Sequence, residues 1–330
     1  MAHSLHAMQT TPHKDPAMPI TRRAALAAGL SAPFLARPAR AETVVRMGTL
    51  KLIHAITPYF YERFVPEGMK VEVIAFESPT DGKAAVVTKS IDFGTFGIAA
   101  AIQGAAAREP LTVVGTVCNK GMGVVARKDS DINSLKDLKG RRVAIWPGST
   151  QEVFILDRLR MEGMSVRDIT PVRVSFSEMH AALARGDVDA YVGAEPAPGI
   201  SVSTGIGKIV EYPYSTPMGS LNQILATHRD TVEGRPDLVR TMVGLQRKAA
   251  EFATSHPDEM IAMTVAKLGQ KRDAIAVSLP NVELAWRMSP EMVTQSKTYA
   301  EHMLGAKQIR AMPDFAFLDT RFSDEVAQAA

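Results

Sequence analysis

The chain has 330 residues, 46% hydrophobic and 22% charged, which suits a folded globular protein with room for two lobes and excludes a mainly disordered one. The formal charge of +3 originates in residues 1–41, where Lys14, Arg22, Arg23, Arg37 and Arg40 face only Asp15; the remainder balances to within one charge, so no basic stripe points to nucleic acid. A single cysteine, Cys118, rules out an internal disulfide and a cysteine-rich metal site, and His3, His6 and His13 are too loosely spread to form one.

Thr21-Arg22-Arg23 precedes the apolar run Ala24 to Ala36, and Ala39-Arg40-Ala41 places small residues where signal peptidase reads. Residues 1–41 are therefore expected to be an export signal, by the twin-arginine or the general secretory route, with mature chain from Glu42 and Met18 as the expected true start. No cysteine follows the run to carry a lipid anchor, and nothing beyond the leader is apolar for long enough to span a bilayer.

From Val44 strands and helices alternate. A strand Val44–Met47 leads through the loop Gly48 to His54 to a helix with Thr57 as expected cap and Pro58 as its first residue. A strand at Val71–Phe76, a helix near Gly82–Thr88 and a strand at Ile91–Phe93 follow; the loop Gly94-Thr95-Phe96-Gly97 then opens the alanine-rich helix Ile98–Ala107. Strands at Leu111–Val117 and Gly123–Arg127 end this half, and the alternation predicts a mostly parallel sheet.

The order then repeats. Val143–Trp146 is a short apolar strand ended by Pro147-Gly148, and Ser149 with Glu152 three residues later has the spacing of a capping box that opens a helix. Such a helix start at the carboxyl end of a strand suits an anion, through amide hydrogen bonds and the helix dipole, although the same residues can simply begin a helix. Val143–Ile145, Val172–Phe176 and Val188–Ala190 correspond to Val44–Arg46, Val71–Phe76 and Ile91–Phe93. Two such units with their strand ends facing each other make a cleft. After Gly193 comes a stretch rich in Pro, Gly and Ser, read as loop; Leu221–Thr227 crosses back to the first unit. The tail is helical, with apolar spacing from Val239 to Ala253 and helices near Asp258–Leu268 and Pro290–Leu304.

These residues resemble the periplasmic binding proteins of ABC importers for nitrate, taurine and alkanesulfonates, with their pyrimidine-precursor relatives. The resemblance rests on Ser90-Ile91-Asp92-Phe93-Gly94-Thr95-Phe96-Gly97, on Val124 to Ile132 with Ser134 to Gly140, on Gly148-Ser149, and on Leu183 to Tyr191 followed by Glu195-Pro196. It implies an α/β, bilobed periplasmic binding protein fold of type II: two doubly wound lobes joined by a two-strand hinge. Lobe 1 would span residues 42–127 and lobe 2 residues 128–217, with residues 218–330 returning to lobe 1. It also implies a small-molecule anion as ligand, an ABC permease and its ATPase as partners, a monomer in the periplasm, and no cofactor or metal. Lys51, His54, Phe96, Gly97, Asn119, Gly148, Ser149, Thr150, Tyr191 and Glu195 form the candidate binding set. Lys51 reads equally as a solvated charge, His54 as a structural histidine, and Glu195 either as a turn contact beside Pro196 or as the partner of a ligand amino group. The family commonly has an aromatic before the Glu-Pro pair where this chain has Gly193-Ala194. The competing class is an enzyme on the same fold, synthase-like or desulfinase-like, using Cys118 as nucleophile. A receptor's sensor domain would need a membrane span after the tail, and none follows before Ala330.

Overall fold

The computed structural model describes residues 42–329; the expected export signal and Met18 start lie outside them. The strands are β1 (Thr43–Leu50), β2 (Met69–Phe76), β3 (Phe93–Gly97), β4 (Leu111–Lys120), β5 (Met122–Arg127), β6 (Arg142–Ile145), β7 (Thr170–Arg173), β8 (Ala190–Ala194), β9 (Gly207–Glu211), β10 (Leu221–His228) and β11 (Val282–Leu284). The α-helices are α1 (Pro79–Val87), α2 (Ile98–Ala106), α3 (Thr150–Met161), α4 (Met179–Arg185), α5 (Ala197–Ser203), α6 (Arg229–Gly234), α7 (Pro236–Ser255), α8 (Pro257–Leu268), α9 (Arg272–Ser278), α10 (Pro290–Gly305) and α11 (Arg321–Gln328).

They build two sheets, ordered β11-β4-β10-β3-β1-β2 and β7-β6-β8-β5-β9. In the first, β1 runs parallel to β2 and β3, and β10 is antiparallel to β3; in the second, β6 runs parallel to β7 and β8, and β5 is antiparallel to β8. The repeat seen in the sequence is thus a repeat of sheet position: a parallel β–α–β–α–β unit whose next strand is lent by a crossover segment. The chain passes between the sheets at Lys120-Gly121 and again over residues 212–220. This is the bilobed α/β arrangement with a two-strand hinge.

Several local expectations shift. Residues 94–97, expected as loop, are fully buried strand β3. Their glycines read as a breaker, yet in this central strand the bare Gly94 backbone admits close packing: a Cβ there would meet Val86 Cγ2 at 3.0 Å and Ile91 Cδ1 at 3.2 Å. Thr57 does not cap; it begins a 3-10 helix, Thr57–Arg63, with Ile56 at the cap and its own hydroxyl buried without a partner among the described residues. The stretch after Gly193 holds α5 and β9, because Pro198 falls in the first helical turn, where it loses no hydrogen bond, and Gly199 lies against Ser278 of α9. The strand expected at Val172–Phe176 ends at Arg173, and the one expected at Val188–Ala190 instead begins at Ala190.

The apolar core is shared across both sheets. Phe96 and Ile98 from the first unit belong to one buried cluster with Phe154 and Tyr191 from the second, and the Phe154 ring meets Tyr299 of α10 edge-on at 5.4 Å.

Candidate ligand site between the lobes

The loops after β1, β3, β6 and β8 all lie at carboxyl strand ends, where the two units face each other. At the start of α3, Ser149 Oγ accepts from the Glu152 amide (3.1 Å) and donates to Trp146 O (2.6 Å). The glutamate half of the expected capping box reaches one residue further back: Glu152 Oε2 accepts from the Gly148 amide (2.8 Å) and from Gln308 Nε2 (2.9 Å). Gly148 has a left-handed φ of +76° and faces Gln103 of α2. Opposite, a Cβ on Gly97 would stand 2.5 Å from Thr150 Oγ1. Gly97 against Thr150 and Gly148 against Gln103 therefore bring the two lobes into direct contact.

A cavity of about 410 Å³ also has walls from both units. Lys51 and Glu77 come from the loops after β1 and β2, Phe176, His180 and Pro196 from the second unit, and Lys267 from the end of α8. Lys51 Nζ pairs with Glu77 at 2.5 Å, and that hydrogen bond raises its pKa. Lys267 lies 5.0 Å over the Tyr59 ring and has no carboxylate partner among the described residues. With Glu77 offsetting one lysine, the lining carries one surplus positive charge. His180 is half-buried, and burial lowers its pKa, favouring the neutral ring.

The other sequence candidates lie elsewhere. Glu195 is buried at the hinge: Oε1 accepts from Asn281 Nδ2 and Oε2 from the Gly199 amide, each at 3.0 Å, while its own amide donates to Gly121 O (2.9 Å) and its carbonyl accepts from Ile53 N (3.3 Å). Burial pushes its carboxyl pKa up. His54 is also fully buried, its ring against Gly121, whose missing Cβ would lie 2.9 Å from Nδ1. Neither ring nitrogen has a hydrogen-bond partner among the described residues, and burial lowers the pKa to about 3. Phe96 packs in the first-lobe core near Gly82, and Asn119 Nδ2 donates to Glu283 Oε1 (3.0 Å) at the β4–β11 edge. Tyr191 is buried, with its hydroxyl 2.8 Å from Ser201 Oγ; its ring occupies the space a Gly193 side chain would need. Cys118 Sγ donates to Asn119 O (2.8 Å), and burial pushes its thiol far up, the opposite of a nucleophile's setting.

Sequence reasoning missed His180, Phe176 and Lys267. None sits in a motif, and Lys267 is more than 200 residues from Lys51; only the tertiary fold joins them.

The model of one protein family, NMT1/THI5 like, matches residues 59–260, more than half of the chain. The chain belongs to the NMT1/THI5-like family. Relatives include a putative aliphatic sulfonates-binding protein of Escherichia coli, 24% identical over 231 residues, covering 69% of this chain and 72% of that protein. They also include the 4-amino-5-hydroxymethyl-2-methylpyrimidine phosphate synthase of Schizosaccharomyces pombe, 27% identical over 147 residues, covering 44% of this chain and 41% of the enzyme. Among solved structures, the alkanesulfonate-binding protein SsuA of Xanthomonas axonopodis pv. citri bound to MOPS superposes with a TM-score of 0.73 at 21% identity, over 85% of this chain and 99% of that one. This NMT1/THI5-like chain therefore has the fold of the periplasmic binding proteins. No helix among the described residues is long and apolar enough to cross a membrane.

Proposed function

We propose that the protein is the extracytoplasmic substrate-binding component of an ABC importer. It captures a small organic anion, an alkanesulfonate before taurine or nitrate, between its lobes, and passes it as a monomer to a permease and its ATPase. The observation that carries this reading is the two-walled cavity with its surplus positive charge, formed by Lys51, Lys267 and Glu77. A buried anion needs either charge or several N–H donors around it, and this wall supplies the first without a fully desolvated counter-ion. The sulfonate-binding relatives support the same class. Contacts from both lobes stabilise the closed arrangement, so ligand shifts a hinge equilibrium at Gly121 and residues 212–220.

The enzymatic reading needs a thiolate at Cys118, and a wholly buried thiol bonded to a carbonyl is poorly placed to supply one. Thermal-shift screening of purified protein against ethanesulfonate, taurine, nitrate and a neutral pyrimidine tests the proposal. Sulfonates are expected to raise Tm most and to compact the protein in X-ray scattering. A pyrimidine that stabilises best, or is turned over in a Cys118-dependent way, contradicts it. Residues 1–41 are expected to be absent from exported protein; N-terminal sequencing that finds them retained contradicts export with cleavage.

A further inference from the structure

His180, Ser201 and Tyr191 form a chain that runs from the cavity wall into the second-lobe core. His180 Nδ1 lies 3.0 Å from Ser201 Oγ, which lies 2.8 Å from Tyr191 Oη; Ser201 and Tyr191 are both fully buried. The proton positions follow from the network. A buried phenol must donate its hydrogen, and the one partner of Tyr191 Oη among the described residues is Ser201 Oγ. Ser201 therefore receives from the tyrosine and sends its own hydrogen to His180 Nδ1. That leaves Nδ1 as an acceptor and puts the ring proton on Nε2, the nitrogen with no partner among the described residues, on a residue that lines the cavity.

We infer that Tyr191 and Ser201 lock His180 in its Nε2–H tautomer, making it a neutral hydrogen-bond donor that selects acceptor-only oxyanions in the inter-lobe cavity. This rests on the anion-binding reading above and adds a residue and a selection rule to it. Lys51 and Lys267 attract any anion, whereas a fixed N–H on the second-lobe wall asks for an oxygen lone pair at that spot and leaves an ammonium or hydroxyl hydrogen there unmatched. A sulfonate presents lone pairs on all three oxygens. Protonation of His180 would turn Nδ1 into a donor and leave the hydrogen of either Ser201 or Tyr191 without an acceptor, so the chain also favours the neutral ring.

The test has two independent arms on the full chain. Two-bond ¹⁵N–¹H NMR of the histidine rings, with His180→Gln to assign the signals, is expected to show His180 as the Nε2–H tautomer. In Ser201→Ala, where nothing is left to donate to Nδ1, the two tautomers should mix. Calorimetric titration with ethanesulfonate is expected to show about a tenfold loss of affinity in His180→Ala and at most about threefold in His180→Gln, whose amide can donate from a similar position. An Nδ1–H ring in the native protein, or His180→Ala within twofold of native affinity, overturns the inference. If ethanesulfonate fails to bind the native protein, the function proposed above falls, while the ring spectrum, which needs no ligand, still upholds or overturns the lock.

Discussion

The two halves of the inter-lobe surface are built on opposite principles. At Gly97 the missing side chain lets the Thr150 hydroxyl of the other lobe lie against bare backbone, and Gly148 faces the Gln103 side chain; His54 against Gly121 repeats the first device at the hinge. A few residues away, long side chains from both lobes hold the walls of a cavity of about 410 Å³ apart. If ligand binds in the cavity as proposed, changes at the glycine contacts should act on stability and closure whatever the ligand, while changes in the cavity should act on affinity with a dependence on salt.

The largest expected effect is at the glycine contacts and depends on pH. His54 titrates near 3 in the folded protein and near 6.5 when unfolded. Between those values the unfolded chain binds the extra proton, so stability is complete above pH 6.5 and falls as pH drops toward 3. The slope is about 1.4 kcal/mol per pH unit, with a ceiling of ~5 kcal/mol across the window. His54→Leu should flatten that part of the curve: the Tm difference between pH 7.5 and pH 5 should shrink relative to native protein, and an unchanged difference would show that His54 is not held neutral.

Next comes Gly97→Ala, whose new methyl group meets Thr150 Oγ1. It should cost the closed arrangement about 2 kcal/mol, read as a matching loss of ligand affinity, and Thr150→Ala in the same chain should restore part of it. Without such rescue the contact is not what limits closure. In the cavity, Lys267→Met should weaken ethanesulfonate by about 1 kcal/mol, an effect that shrinks in high salt; a salt-independent loss would point to packing on Tyr59 instead. The smallest change is Glu77→Gln, which frees Lys51 and should tighten anion binding by about 0.5 kcal/mol at low salt. Weakened binding would mean that Glu77 orients Lys51 rather than offsetting its charge.

Much of this frame was legible in the sequence. Apolar runs and their spacing revealed the parallel strands and the repeated unit, and Ser149 with Glu152 marked the start of α3, because these signals are local. Glycine misled where it serves tertiary contact: Gly94 and Gly97 looked like loop residues but lie in a buried central strand, and Gly199 looked like part of a loop but lies in a helix. Charge was legible only in part: a helix contact beside Pro196 was one of the readings of Glu195 and is met by the Gly199 amide, whereas its bond with Asn281, 86 residues away, has no local mark. His180 and Lys267 carry no local mark; they enter the site because α4 and the end of α8 converge on it.

The central claim is that the space between the lobes is a receptor for small oxyanions. Calorimetric titration of the full chain with ethanesulfonate, and separately with propylamine as its cationic counterpart, tests this most directly. The account predicts saturable one-to-one binding of the sulfonate and none of the amine; binding of the amine, or of neither while a neutral pyrimidine binds, would contradict it.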